Sequence, residues 1–356
     1  MTSINTAHGD PREVRAVVWD GQAQALDLLD QTRLPAQAVT FTCRTVDQVV
    51  DAIVRLVVRG APALGAVCAY GVAVAMLQGE REGWDAARLD SEVDRVRNAR
   101  PTAVNLAWGV DRVRPAMASG VAAVLAAGDA LVADDTAANR ELSRRGADWI
   151  LERVPTRPIR VITHCNTGAL ATTGWGTAFG IIRELHERGV LGRVYADETR
   201  PLLQGARLTA WELALLGADY CVQADGAAAS TILRGLVDVA VIGADRIARN
   251  GDTANKIGSV GVALACAAAG IPFIVAAPSS TVDLATATGA DIHIELRAED
   301  EVTAFAGLVT TPQGAAGFNP AFDVTPARYV SVIVTEQAVI EPDGVRDVSG
   351  LIGFAS

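Results

Sequence analysis

The chain has 356 residues, half of them apolar and 5% aromatic, and its 41 acidic against 31 basic side chains leave a net charge of −10. That length and apolar share fit at least one large core and point to two domains, while the acidic balance excludes a broad surface for nucleic acid or an anionic membrane, which needs clustered Lys and Arg. The first thirty residues hold no cationic segment followed by an apolar run, and no stretch reaches about 18 uninterrupted apolar residues, so a cytoplasmic protein with no membrane partner is expected.

In chain order, residues 11–29 read as short strands with Asp20-Gly21 as a hairpin turn. Apolar residues then recur at three- and four-residue spacing over 45–57, 62–78, 85–98, 103–127 and 130–153, the pattern of packed helices. After VPTRP the pattern changes to apolar strands, RVITH (160–164), RVYADE (193–198), DYCVQ (219–223), VDVAVIGA (237–244) and PFIVAA (272–277), separated by helices such as 204–216 and 254–269. Alternation of this kind predicts a parallel sheet covered on both faces. The expected fold is α/β: a mostly helical N-terminal domain with a small antiparallel sheet over 1–129, then a doubly wound, Rossmann-like parallel-sheet domain over 130–356 that carries most of the site.

In doubly wound sheets ligands bind at the carboxyl ends of the strands. Those ends here are HCNTG, DETRPLLQG, ADG, GADRI and APSST, which offer a thiol, carboxylates, hydroxyls and amides but no His-rich set for a metal. The stretch after the first strand contains Gly174, Gly176 and Gly180, yet nine residues separate His164 from Gly174, too many for a dinucleotide fingerprint. A Gly-rich turn entering a helix suits a sugar phosphate equally well. His164 and Cys165 are neighbours and so face opposite ways on a strand, which disfavours a Cys–His nucleophile pair. The five cysteines are odd in number and lack C-x-x-C spacing, which disfavours disulfides and zinc; Cys43, Cys68, Cys221 and Cys266 read as packing thiols, and Trp108, Trp175 and Trp211 as core. Asp197 and Glu198 either line the site or pair with Arg200 or Arg207. Of the 31 basic residues only Lys256 is a lysine, which suggests a position that needs a compact ammonium.

The blocks RGAPALG (59–65), RPTAVNL (100–106), THCNTGALAT (163–172), ADETRPLLQGARLTAWEL (196–213), GADRIARNGDTANKIG (243–258), AAPSSTVD (276–283) and NPAFDVTP (319–326) resemble the methylthioribose-1-phosphate isomerases, a family related to the regulatory subunits of translation initiation factor 2B. They occur in order and span nearly the whole chain. The resemblance implies conversion of 5-methylthioribose 1-phosphate to 5-methylthioribulose 1-phosphate in methionine salvage, without cofactor or metal, by a homodimer. It implies Cys165 and Asp245 as the catalytic pair, with Arg59, Gly60, Ala61, Arg100, Gln204, Asn255 and Lys256 contacting substrate. Asp245 follows an apolar run, so burial is expected to keep it protonated as a general acid. ADGAAAS (224–230) and IGSVG (257–261) depart from the family pattern and leave the carbon-5 substituent open. Two alternatives stand beside this reading: the same chemistry on 5-deoxyribose 1-phosphate or another ribose phosphate, and a non-catalytic sugar-phosphate-binding regulatory subunit.

Overall fold

The computed structural model describes residues 14–100, 104–345 and 347–352, so the strand expected from residue 11 begins, and the block RPTAVNL partly lies, outside the described residues. The chain divides into two compact units, residues 1–137 with 168–176, and residues 138–167 with 177–356.

The first unit opens with the antiparallel strands β1 (Val17–Asp20), β2 (Ala25–Leu29) and β3 (Thr40–Cys43), with Asp20 paired across the turn with Ala25. Helix α1 (Val46–Val54) starts at a capping box in which Thr45 and Gln48 satisfy each other's backbone N–H groups. Helix α2 (Ala61–Glu82) is long and apolar enough to cross a membrane, but most of it is buried as the core of this unit. It is followed by α3 (Ala86–Arg97) and α4 (Val104–Val113). At the α2/α4 crossing a Cβ on Gly109 would lie 2.2 Å from the Gly65 carbonyl oxygen, so the backbones touch.

The sequence pattern places a helix break near 128–130, and the structure moves it. The chain instead breaks at the 3₁₀ turn Arg114–Ser119, where Pro115 supplies no N–H and Gly120 has φ +89°; a single helix α5 (Val121–Arg153) then runs on into the second unit. Gly128 does not end it. The Tyr70 ring packs where a Cβ at 128 would stand, 3.0 Å away.

The second unit is built on β4 (Ile159–Thr163), α6 (Ala178–Glu187), β5 (Leu191–Asp197), α7 (Ala210–Leu216) entered through the π-turn Gly205–Thr209, β6 (Tyr220–Gln223), α8 (Ala228–Leu233) and β7 (Val239–Ile242). The chain continues through β8 (Arg246–Ala248), β9 (Thr253–Lys256), α9 (Ser259–Ala269), β10 (Phe273–Ala276), β11 (Val282–Asp283), α10 (Asp300–Thr303), the hairpin β12 (Ala304–Phe305) and β13 (Leu308–Val309), β14 (Phe322–Thr325), β15 (Val332–Val334) and β16 (Val339–Ile340). The main sheet has order β16-β15-β10-β7-β4-β5-β6 and is parallel apart from β16. Alternate residues feed two cores. Val161, Val194, Val241 and Ile274 pack with Leu142 and Ile150 of α5 and with α6, whereas Ile162, Ile242, Phe273 and Ile333 pack with α8 and α9. Each fully buried Val, Ile or Phe contributes about 1.5–3 kcal/mol, and both sheet faces are covered as the doubly wound expectation requires.

A second sheet, β11-β8-β9-β14, overturns the helix expected from residue 254. Thr253–Lys256 pairs antiparallel with both Arg246–Ile247 and Phe322–Thr325, and Gly258, at φ +110°, separates it from α9.

Candidate active site

After β4 the chain leaves for β5 and β6 on one side, then crosses back to β7 and β10 on the other, so the topological switch point lies at β4 and β7. Cys165 follows β4 and Asp245 follows β7. The loops close tightly here, since a Cβ on Gly243 would lie 2.7 Å from Thr167 Cγ2.

Cys165 is buried and held at φ +65°, a conformation non-Gly residues avoid. Its N–H donates to Thr199 Oγ1 at 2.9 Å and its carbonyl accepts from Thr209 Oγ1 at 2.6 Å. Thr199 itself has φ +65° and Leu203 φ +58°, and the Leu203 N–H donates to the Thr199 carbonyl. Three left-handed non-Gly residues in two hydrogen-bonded loops mark a backbone held in place by its surroundings, as functional sites often are. The loop is fixed from below by Asp225, whose carboxylate accepts from the Thr199 N–H (2.7 Å) and the Arg200 N–H (2.6 Å). Gln204 is buried next in the chain, and its Oε1 has no hydrogen-bond partner among the described residues. Such an orphaned acceptor costs about 1–3 kcal/mol unless a ligand supplies the donor. Gly205 must be glycine, because a Cβ there would lie 1.6 Å from the Asp197 carbonyl oxygen.

Asp245 donates its N–H to the Ala254 carbonyl at 2.9 Å, which sets the end of β7 beside β9. Its side chain is exposed, contrary to the burial expected from the apolar run before it, because the run ends at Ile242 and the chain then turns outward. Asn255 and Lys256 occupy successive strand positions and so face opposite ways. Asn255 is buried with its Nδ2 donating to Ser259 Oγ at 2.9 Å. Lys256 is half-buried, its Nζ donating to the Ala321 carbonyl at 2.8 Å and lying 4.3 Å from the Phe322 ring centroid. Cys165, Gln204 and Asp245 thus fall on strand-end loops of the main sheet and Asn255 and Lys256 on β9 of the second sheet, all within the second unit.

The other four expected contacts belong to the first unit. Gly60 stands at φ +97° before α2, where a Cβ would meet the Ala171 carbonyl oxygen at 2.3 Å. Ala61 is the first residue of α2, Pro62 brings no N–H, and the Ala63 N–H donates to Ala171. Arg59 and Arg100 are half-buried.

Sequence reasoning gives His164 no role and leaves Asp197 between lining the site and pairing with an arginine. The structure joins them: His164 Nδ1 lies 3.0 Å from Asp197 Oδ2 and Nε2 lies 2.8 Å from the Ile257 carbonyl oxygen. No local pattern connects residues 33 apart in the chain; the only signal was that both end apolar strands. The Asp197 carboxylate is thus held by His164 and Gln223. With Asp225, His164 and Asp197 form the one cluster of metal-ligand types among the described residues, but every one of these side chains is already engaged in hydrogen bonds within the protein. Cys43 and Cys266 are buried thiols pushed up to about 12 by burial, Cys68 is buried and shifted upward likewise, and Cys221 is half-buried. Trp175 is buried, whereas Trp108, expected in the core, is exposed and lays its ring against Gly65.

Comparison with known proteins gives the family. The Initiation factor 2 subunit family matches residues 57–342. A probable bifunctional methylthioribose-1-phosphate isomerase/methylthioribulose-1-phosphate dehydratase of Nocardia farcinica is 51% identical over 331 residues, 93% of this chain but only 60% of that protein's length. The methylthioribose-1-phosphate isomerase of Alkalilimnicola ehrlichii is 47% identical over 95% of this chain and 98% of its own. Among solved structures, 5-methylthioribose 1-phosphate isomerase from Pyrococcus horikoshii superposes with a TM-score of 0.84 at 34% identity, covering 95% of this chain and 96% of that one. Subunit delta of the translation initiation factor eIF-2B from A. fulgidus gives the same TM-score of 0.84 at 39% identity, covering 96% and 100%. With the family match running through both units and near-half identity over almost the full length of an isomerase, this chain belongs to the methylthioribose-1-phosphate isomerases of the Initiation factor 2 subunit family.

Proposed function

We propose that the protein isomerises 5-methylthioribose 1-phosphate to 5-methylthioribulose 1-phosphate, with Cys165 and Asp245 as the catalytic pair. The observation that carries this reading is the placement of both residues directly after β4 and β7, the strands at the topological switch point. A phosphate on the anomeric oxygen locks the sugar as a ring, so the free-aldehyde route of ordinary aldose isomerases is closed. Asp245 gives a proton to the ring oxygen as the ring opens, and Cys165 acts at C2, either taking its proton in an enediol route or positioning it for hydride shift. In both routes C1 gains the hydrogen that C2 loses, C2 becomes the ketone, and the proton released from the C2 hydroxyl replaces the one that Asp245 gave to the ring oxygen. Because Asp245 is exposed in the protein alone, the desolvation that suits an acid role comes from the sugar settling on it.

Gln204 and Asn255 are suited to the sugar hydroxyls, and a hydroxyl donating to Gln204 Oε1 would satisfy its orphaned acceptor. Lys256 in the second unit, and Arg59 and Arg100 with the N–H groups of Gly60 and Ala61 in the first, have the chemistry a phosphate needs. No cofactor or metal takes part, so turnover survives exhaustive chelation.

A regulatory, non-catalytic role is the second reading, favoured by the initiation-factor name of the A. fulgidus neighbour. The test is a panel of 5-methylthioribose, 5-deoxyribose and ribose 1-phosphates assayed for ketose formation with EDTA present. Turnover of the methylthio sugar supports the proposal. Turnover of only another sugar moves the substrate, and binding without turnover favours the regulatory reading.

A further inference from the structure

One imidazole touches three of the segments that carry the proposed site. His164 immediately precedes Cys165; the Ile257 carbonyl that it binds immediately follows Lys256; and its partner Asp197 lies two residues before Thr199, whose hydroxyl holds the Cys165 N–H. Both side chains are 1% exposed. The ring also lies against Gly258, where a Cβ would be 2.7 Å from His164 Cε1, so the start of α9 has no room for any other residue.

The hydrogen bonds fix the proton count. A carbonyl oxygen only accepts, so Nε2, at 2.8 Å from Ile257 O, bears a proton. Nδ1 faces Asp197 Oδ2 at 3.0 Å, and a hydrogen bond there needs a second proton between them, which the more basic imidazole takes from the carboxyl. The other carboxylate oxygen, Oδ1, accepts from Gln223 Nε2 at 2.8 Å, and Gln223 Oε1 accepts in turn from Thr231 Oγ1 at 2.7 Å. Without the second proton, lone pair would face lone pair in a site closed to water.

We propose that His164 and Asp197 are a positioning pair for the isomerisation, an imidazolium clasped to a carboxylate that keeps the Cys165 loop and the Asn255–Lys256 end of β9 in register. The positioning role rests on the isomerase reading above; the proton count does not. Burial by itself pushes His164 down, but the hydrogen bond and charge of Asp197, the charge of Asp225 and the Ile257 carbonyl outweigh it and the net shift is upward. Burial likewise raises Asp197, more than His164 and Gln223 pull it back, so the pair as a whole holds its protons. The other titratable groups facing it are Asp225 after β6, Asp323 on β14 and the Cys266 thiol on α9; the two carboxylates reinforce the ring's charge, and the thiol is pushed up to about 12 by burial. A raised histidine contributes stability that is complete below the unfolded value of about 6.5 and is lost as pH rises through the folded value. The clasp therefore opens on the alkaline side.

Nitrogen-15 NMR of protein labelled at its four histidines reads the proton count directly. Both His164 nitrogens should stay protonated above the ordinary histidine range of about 6.5. An unprotonated Nδ1 at neutral pH would overturn the inference, whatever the substrate proves to be. Asp197→Asn offers its amide N–H to a neutral ring and its carbonyl to Gln223, so it keeps every hydrogen bond with one ring proton fewer. It should melt near the parent temperature, lose the Nδ1 proton and lose the alkaline fall in kcat that His164 causes. His164→Gln reaches one acceptor only and should lower kcat on the order of tenfold to a hundredfold with a smaller change in KM, the scale of a slightly misplaced reacting group. A parent-like kcat–pH profile in Asp197→Asn would remove the positioning role. If the parent forms no ketose at all, the isomerase reading fails and the NMR result alone decides the pair.

Discussion

Lys256→Arg tests the meaning of the chain's single lysine. The ammonium spends one of its three donors on the Ala321 carbonyl at 2.8 Å and lies 4.3 Å from the centroid of the Phe322 ring. It sits on β9 between β8 and β14, whose register (Lys256 opposite Phe322) fixes where its stem begins. A guanidinium can keep the charge and stack on Phe322, but its planar fork is wider than an ammonium and cannot bond Ala321 while pointing further donors toward a phosphate. One charged hydrogen bond is therefore lost, worth about 1.5–3 kcal/mol, which is roughly a tenfold to 150-fold fall in kcat/KM. The assay is ketose formation from 5-methylthioribose 1-phosphate, with Arg88→Lys and Arg144→Lys as controls at exposed ion pairs, where solvent screens the charges and no activity is at stake. Parent-like kcat/KM in Lys256→Arg would make the lysine a compositional accident and refute the reasoning.

Cys165→Ser and Asp245→Asn should each lower kcat by about a hundredfold or more with circular dichroism unchanged; near-normal turnover in either removes its role. Gly205→Ala places a Cβ 1.6 Å from a backbone oxygen that has no freedom to move, so it should cost more than the roughly 1–3 kcal/mol of ordinary overpacking; a melting temperature within a degree or two of the parent would contradict the contact. Asp238 is raised by burial but lowered further by the side-chain and backbone N–H bonds of Arg160, for a net shift downward. Its contribution is present above the unfolded carboxylate value of about 3.9 and lost as pH falls through the lowered folded one. Asp238→Asn should therefore flatten the acid limb of stability in urea titrations, and an unchanged limb would show that the pair is not what acid breaks.

Local pattern was enough where local pattern sets structure. The five core strands were legible because each is a short apolar run, and their order in the chain implied a doubly wound sheet with its ligand loops at the carboxyl ends. Reading failed where partners are distant. Thr253–Lys256 looks helical beside Ala-rich α9 and becomes a strand only because Phe322–Thr325 pairs with it from more than sixty residues away. Asp245 follows an apolar run, but its exposure depends on how the chain turns after Ile242. The His164–Asp197 clasp joins two strand ends by side chains alone, which no spacing rule records. The helix break fell at Pro115 and Gly120 rather than Gly128, whose missing Cβ makes room for Tyr70 instead of ending a helix.

The most direct measurement of the isomerase claim uses 5-methylthioribose 1-phosphate labelled with carbon-13 at C1, incubated with the purified protein without added cofactor and followed by carbon NMR. The labelled anomeric carbon should become a methylene that keeps its coupling to phosphorus, as C1 receives the hydrogen that C2 gives up. A substrate that stays unchanged, or one whose label loses phosphorus coupling through hydrolysis, would contradict it.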